Sequence, residues 1–370
     1  VDGMKPFPET PIIKIEELYG REGEVSQLRR LVLEKKRWVA IIGPRAVGKT
    51  SLARAFATQY SSATGKPAVY SNFAGIHNFT EFVERFGLDV MNLVHENKLK
   101  LRRVSLGIKF FEAVLEREKN IPIAPRNPAA LFDEVMRALP EGSLLVWDEI
   151  QDMRRERNKL LAALWRLHNV LAEKRPIIIF TGSAMGLFKK LLNPEYDDYL
   201  YGRAPVRVDV EPWDVQTGVE FLKRGLLAAG NVDFSIDELR EASIKLGGFP
   251  GYLSSYGRGR IDGLTHRRAL KNAHEEAVKR AMSELRSFVR LRPQREYQRK
   301  VIALLNAMGE GVSRPSSLAR LSGLTEVSVV NTLETLLEMG IVEKESKSKV
   351  VSIYRFKYGF YQEAALRIRA

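Results

Sequence analysis

Short apolar runs recur along the first two hundred positions, and between them lie stretches with apolar residues at three-and-four spacing. Trp38-Val39-Ala40-Ile41-Ile42, Ala68-Val69-Tyr70-Ser71-Asn72-Phe73, Leu144-Leu145-Val146-Trp147, Ile177-Ile178-Ile179-Phe180 and Val206-Arg207-Val208-Asp209-Val210 read as strands. The segments between them carry helical spacing, which predicts an α/β fold with a parallel sheet. In such sheets ligands bind beyond the carboxyl ends of the strands, where Asp148-Glu149 and Thr181-Gly182-Ser183 fall. From Trp213 to about Val289 the pattern is helical throughout, with Thr217–Ala229 and Asp237–Leu246 the clearest helices. Residues 296–356 predict a winged helix: helices Tyr297–Met308, Ser316–Leu321 and Glu326–Met339, then wing strands at Val342 and Val350–Tyr354. Thr325 is placed to cap the third helix and Gly340 to end it, and Tyr358–Arg367 reads as a closing helix. The expected division is therefore 1–211, 212–292 and 293–370.

One segment departs from this alternation. More than fifty residues separate the strand at 68–73 from the helix at Pro128–Leu139, so an insertion of about 77–127 is expected. It holds a helical pattern over Phe82–Val94 and a hairpin-like alternation over Leu99–Ile108.

Residues 43–50 supply the first chemistry: Gly43-Pro44-Arg45-Ala46-Val47-Gly48-Lys49-Thr50, followed by Ser51 and a helical run. This is the G-x-x-x-x-G-K-[ST] phosphate loop, with a buried strand before it and a helix after it. Gly43 and Gly48 let the backbone curl until several N–H groups point at one anion, and the helix dipole adds to the attraction. Lys49 is expected to reach the β- and γ-phosphates and the Thr50 hydroxyl to bind Mg²⁺. About a hundred residues later, Leu144–Trp147 followed by Asp148-Glu149 forms the Walker B pattern. Asp148 is placed to hold Mg²⁺, and Glu149 to orient and polarise the attacking water. Thr181 or Ser183, one strand over, could sense the γ-phosphate.

Composition narrows the setting. The chain of 370 residues is 45% apolar, as globular proteins are, and it has no cysteine for a disulfide or a thiolate metal site. No stretch approaches the ~18 uninterrupted apolar residues of a membrane span. Residues 1–5 lack the apolar core of a signal peptide, so a cytoplasmic location without membrane is expected. The net charge is +14. Residues 258–300 hold thirteen Lys or Arg against five acids, a net +8, which suits either a nucleic-acid contact or a solvated helix face.

Two further elements take meaning from a resemblance. Tyr19-Gly20-Arg21-Glu22-x-Glu24 is similar to the box found upstream of the phosphate loop in AAA-type and signalling ATPases. Tyr199-Leu200-Tyr201-Gly202-Arg203 and Gly247-Gly248-Phe249-Pro250 follow in the same order. With the tail, residues 17 to 360 resemble archaeal P-loop ATPases of the STAND group, relatives of AAA-type and origin-recognition ATPases. The resemblance implies ATP or ADP with Mg²⁺, with Tyr19, Gly20 and Arg21 against adenine and Pro250 closing the base from a helical lid. It implies that Arg203 reaches a γ-phosphate, which would need an oligomer if Arg203 acted in trans. It implies slow hydrolysis working a conformational switch. The alternative is a DNA-binding ATPase resembling origin-recognition factors, gripping duplex through 258–300 and the winged helix. Against base reading, the third helix has Glu326, Glu334 and Glu338, no Lys or Arg, and Asn331 alone as a candidate reader. A protein partner stays open beside DNA.

Overall fold

The computed structural model describes residues 6–95, 127–150, 156–170, 176–182, 191–192, 194, 201–230, 232–292, 294–346 and 352–369. The hairpin expected at Leu99–Ile108 and the candidate residues Ser183, Tyr199 and Leu200 lie outside them, as do the expected wing residues Lys347, Lys349 and Val350–Val351. The chain forms two compact units, one of residues 11–42 and 49–209, the other of residues 1–10, 43–48 and 210–370.

The first unit is built on five parallel strands: β1 (Trp38–Ile42), β2 (Ala68–Asn72), β3 (Leu144–Asp148), β4 (Ile177–Gly182) and β5 (Val206–Asp209). Their spatial order is β2-β3-β4-β1-β5. Helix α1 (Glu22–Leu33) precedes β1, α2 (Lys49–Thr64) follows it, and α3 (Phe79–His95) follows β2. Helices α4 (Pro128–Ala138) and α5 (Arg157–Val170) flank β3. Every residue of β3 and β4 is buried, which matches continuous apolar runs covered on both faces.

The core on one face centres on Trp147. Its ring meets Phe82 at 5.0 Å, Phe86 at 5.6 Å, Phe180 at 5.6 Å, Phe132 at 6.2 Å and Phe73 at 6.3 Å. Edge-to-face rings at these separations are favourable beyond the area they bury. The consequence is local to function: the residue that anchors β3 is the neighbour of Asp148.

The second unit is mainly helical: α6 (Val215–Ala229), α7 (Ile236–Lys245), α8 (Pro250–Ile261) and α9 (His266–Arg290). Asp214 caps α6 by accepting from the Thr217 N–H, and Ser235 with Glu238 forms a full capping box on α7. Then come α10 (Arg295–Gly309), α11 (Pro315–Ser322) and α12 (Glu326–Glu338), an antiparallel pair β6 (Val342–Ser346) and β7 (Ser352–Phe356), and α13 (Gly359–Arg367). Thr325 caps α12 through the Ser328 N–H, and Gly340 follows it at φ +71°.

Two expectations change with the side chains in view. Glu334 on α12 carries a paired carboxylate, not a bare one. It accepts from Lys344 Nζ at 2.8 Å and from the Tyr354 hydroxyl at 2.7 Å, and these bonds, Lys344 first, hold its carboxyl below the usual range. The basic stretch is not uniform either. Arg258 donates to the carbonyls of Phe7 and Pro8, and Arg260 to Glu238 and the Tyr256 hydroxyl, so both serve internal packing.

Candidate functional site

Strand order decides what the expected site residues can reach. Because β4 lies between β3 and β1, Trp147 pairs with Phe180 and Ile41 with Thr181, which sets Thr181 beside the end of β3. Asp148 is fully buried. Its Oδ1 accepts from the Thr181 hydroxyl, and its Oδ2 accepts from the Thr50 hydroxyl at 2.8 Å and the Tyr70 hydroxyl at 2.7 Å. A buried carboxylate needs such donors in place of water. Thr181 also accepts from the Glu149 N–H at 3.4 Å, so it braces both acids from the neighbouring strand.

Glu149 leaves β3 with φ +58°, a left-handed conformation that side-chain residues rarely adopt. The turn separates its partly exposed carboxylate from the buried one of Asp148. The two acids thus have different environments although they are adjacent in sequence.

Tyr70 was not singled out by its residue type, and it is the addition the structure makes. Arg54, one turn beyond Thr50 on α2, stands over its ring at 4.6 Å. Burial first, then the Asp148 charge, pushes the phenol far above its ordinary range, so it holds its proton and donates.

In the phosphate loop the two glycines answer different demands. Gly48 has φ +96° and open space where a Cβ would stand, so it is needed for conformation. At Gly43 a Cβ would lie 2.2 Å from the Val210 carbonyl oxygen, so it is needed for close approach. Ala46 is also left-handed, at φ +66°. Its carbonyl accepts from the Gly251 N–H at 3.0 Å, which puts the start of α8, where Pro250 is the first helical residue, against the loop. Lys49 is buried at the head of α2, and the Ser51 hydroxyl accepts from the Ile12 N–H at 3.2 Å.

The remaining candidates are placed as follows. Arg21 is buried and donates to Glu24 at 2.7 Å, bracing the first turn of α1, while Tyr19 and Gly20 before it are half-buried. Arg203 is half-buried in the turn entering β5, after Gly202 at φ +72°. Arg45 lies among the second unit's own helices: its charge acts on Tyr252 of α8 and Tyr361 of α13. Burial, then the buried Glu284 carboxylate, raises both phenols, and Tyr361 donates to Glu284 at 2.7 Å.

Among the described residues no three His, Cys, Asp or Glu cluster to hold a metal. The donor set at Asp148 and Thr50 is all oxygen with a single carboxylate. That fits Mg²⁺, which binds through one or two protein ligands with substrate phosphates and water completing its shell.

Residues 18–256 match the family described as an ATPase domain predominantly from Archaea. The chain belongs to that family. The ATPase is also similar over its whole length to a solved structure, the Walker-type ATPase PABY2304 of Pyrococcus abyssi. Identity is 27% and the TM-score 0.73, with 98% of this chain and 99% of that one covered. Two more distant structures share the fold. The ORC2 protein of Aeropyrum pernix, solved as ADPNP–ADP complexes, is 14% identical with TM-score 0.59, over 99% of this chain and 96% of that one. Cdc6p from Pyrobaculum aerophilum is 16% identical with TM-score 0.51, over 97% and 95%. No curated protein matches the sequence. These findings establish a P-loop ATPase of this predominantly archaeal family, with ATP hydrolysis as its activity. No described helix is long and apolar enough to cross a membrane.

Proposed function

We propose that the ATPase is a Mg²⁺-dependent switch of the STAND type, in which the terminal phosphate of the bound nucleotide sets the arrangement of the helical unit. The observation that carries this reading is the bond from Gly251 N–H to Ala46 C=O. Through it, a backbone group of the phosphate loop is fixed to the first turn of α8. A loop that reshapes around a γ-phosphate would pull on that helix directly, so two nucleotide states would differ in their contacts with it.

The chemistry assigned to the site follows from its residues. Lys49 and the N–H groups of 43–48 hold the phosphates, and Thr50 with Asp148 would hold Mg²⁺. When bound, Mg²⁺ would neutralise charge on the phosphates. Glu149 accepts a proton from the attacking water, and Thr181 keeps Asp148 and Glu149 in register. Arg203 stabilises charge on the transferring group, Tyr19 and Gly20 line adenine, and Pro250 closes the base. The bond from Arg21 to Glu24 makes Arg21 a brace for that adenine edge.

Hydrogen exchange tests the switch. In the Glu149→Gln variant loaded with ATP, amides of residues 247–262 are expected to exchange at rates at least several-fold different from those with ADP. Equal protection in the two nucleotides would refute it.

A second reading, duplex DNA as partner, is favoured by one observation. On α9, Arg268, Lys279, Arg286 and Arg290 are all exposed and fall on one side at helical spacing. Of the ion pairs on this helix, Arg280 with Glu276 at 2.7 Å lies off that side, whereas Glu275, on the same side between Arg268 and Lys279, is held by Arg367 at 3.0 Å. Four such cations neutralising phosphates give a log–log slope of affinity against salt of about −3 to −4. Duplex titrations between low and moderate salt are expected to show that slope, and to lose most of it when the four are changed to Gln. A flat dependence would remove DNA as partner.

A further inference from the structure

We infer that Tyr70 is a positioning residue for Asp148 and sets the concentration of Mg²⁺ at which the ATPase loads Mg-nucleotide. The inference rests on reading Asp148 as the metal-binding carboxylate. It starts from the distribution of donors around that group. Asp148 Oδ1 is held from β4 by Thr181, and Oδ2 is shared by Thr50 and Tyr70.

These two donors to Oδ2 are not equivalent. Thr50 would itself hold the cation through its hydroxyl oxygen. Its grip on Asp148 is therefore bound up with metal binding. Tyr70 has no such second duty. Its hydroxyl fixes the carboxylate plane before and during metal entry.

The local structure makes Tyr70 a stiff support. Tyr70 pairs with Val146 in the β2–β3 register, and Asn72 with Asp148, so the tyrosine crosses diagonally to an acid two residues further along the same face. A ring with two side-chain torsions spans that offset with little freedom. The Arg54 guanidinium over its face limits it further. Arg54 and Thr50 lie one turn apart on α2, so the helix that supplies a metal-binding hydroxyl also braces the ring that holds the carboxylate.

Partners that orient a metal ligand commonly contribute 10- to 100-fold to metal affinity. Tyr70→Phe removes only the hydroxyl and keeps the packed ring. The measurement is binding of a fluorescent ADP analogue, first in EDTA and then across a Mg²⁺ titration, with Mg²⁺-dependent hydrolysis followed in parallel. In EDTA, Tyr70→Phe is expected to bind like the parent. Its half-saturating Mg²⁺ is expected to rise about tenfold, with hydrolysis restored when Mg²⁺ is saturating. Arg54→Gln, which leaves the hydroxyl but frees the ring, is expected to shift in the same direction by a smaller factor.

Parent-like Mg²⁺ titrations in both variants would overturn the inference. So would a loss of analogue affinity in EDTA, which would make Tyr70 a packing residue only. Asp148→Asn separates this inference from the reading beneath it. If that variant retains the parent's Mg²⁺ titration, Asp148 is not the metal-binding group, and the assignment fails at that level whatever Tyr70 does.

Discussion

Changing Glu149 to Gln is expected to lower ATP turnover by about 10²- to 10³-fold while leaving ATP affinity within about twofold of the parent. The side chain keeps its shape and loses only its capacity to take a proton. Three features confine the effect to the chemical step. The Glu149 backbone is fixed in its left-handed conformation and donates to Thr181, so the amide side chain should leave β3 at the same angle. Asp148, the carboxylate proposed to hold Mg²⁺, keeps all three of its donors. The groups proposed to hold the phosphates lie on the loop and on α2, away from the substitution in sequence. The measurement is single-turnover hydrolysis beside equilibrium binding of ATP. Hydrolysis equal in the two proteins would show that another group activates the water. A parallel fall in affinity would show that Glu149 holds the ligand and does no chemistry.

The legible part of this site was the part written locally. A glycine-bounded loop between an apolar strand and a helix, and an apolar strand ending in Asp-Glu, are contiguous patterns, and they mark the chain as a P-loop ATPase. The strands themselves were legible within a residue or two, because buried parallel strands read as unbroken apolar runs. What could not be read was lateral order. Nothing between residues 68 and 182 says that β4 inserts between β1 and β3, and only that insertion sets Thr181 against Asp148. Tyr70 is hidden for the same reason. Alternation along β2 gives it a face, but its bond to Asp148 depends on which strand lies beside it.

Charge was misread more than pattern was. A side chain's sign is visible in sequence and its partner is not. Arg258 and Arg260 counted toward a basic patch although they hold backbone carbonyls, a phenol and an acid within the helical unit. Glu334 counted as one of three acids set against DNA although its charge is already paired by Lys344 and bonded by Tyr354 of the hairpin. A cation on the outer side of α9, such as Arg286, is the kind that sequence counting describes correctly.

Phe7→Ala is expected to destabilise the helical unit by about 3–5 kcal/mol, the range for deleting a fully buried aromatic ring. No pattern around residue 7 announces this. Phe7 is 1% exposed, and its ring fits a slot floored by two glycines, Gly225 of α6 and Gly257 of α8. A Cβ at Gly225 would lie 2.3 Å from the ring and one at Gly257 2.4 Å from it, so neither helix could approach as it does with a larger residue. Phe221 meets the ring edge-on at 5.4 Å. The backbone at Phe7 is left-handed, φ +53°, a conformation costing on the order of 1–3 kcal/mol that the buried ring must offset. Arg258 donates to the Phe7 and Pro8 carbonyls at 3.3 Å each and fixes the backbone on both sides of the peptide bond between them. A double-mutant cycle checks the geometry, with stability read from hydrogen exchange in α6 and α8 against urea. Gly257→Ala alone should be destabilising because the methyl meets the ring. In the Phe7→Ala background the slot is empty, the clash is gone, and the same change should stabilise by up to about 1 kcal/mol through helix propensity. That reversal of sign requires the ring to occupy the slot. Additive costs would mean that Phe7 stabilises the unit by some contact other than its seat on the two glycines.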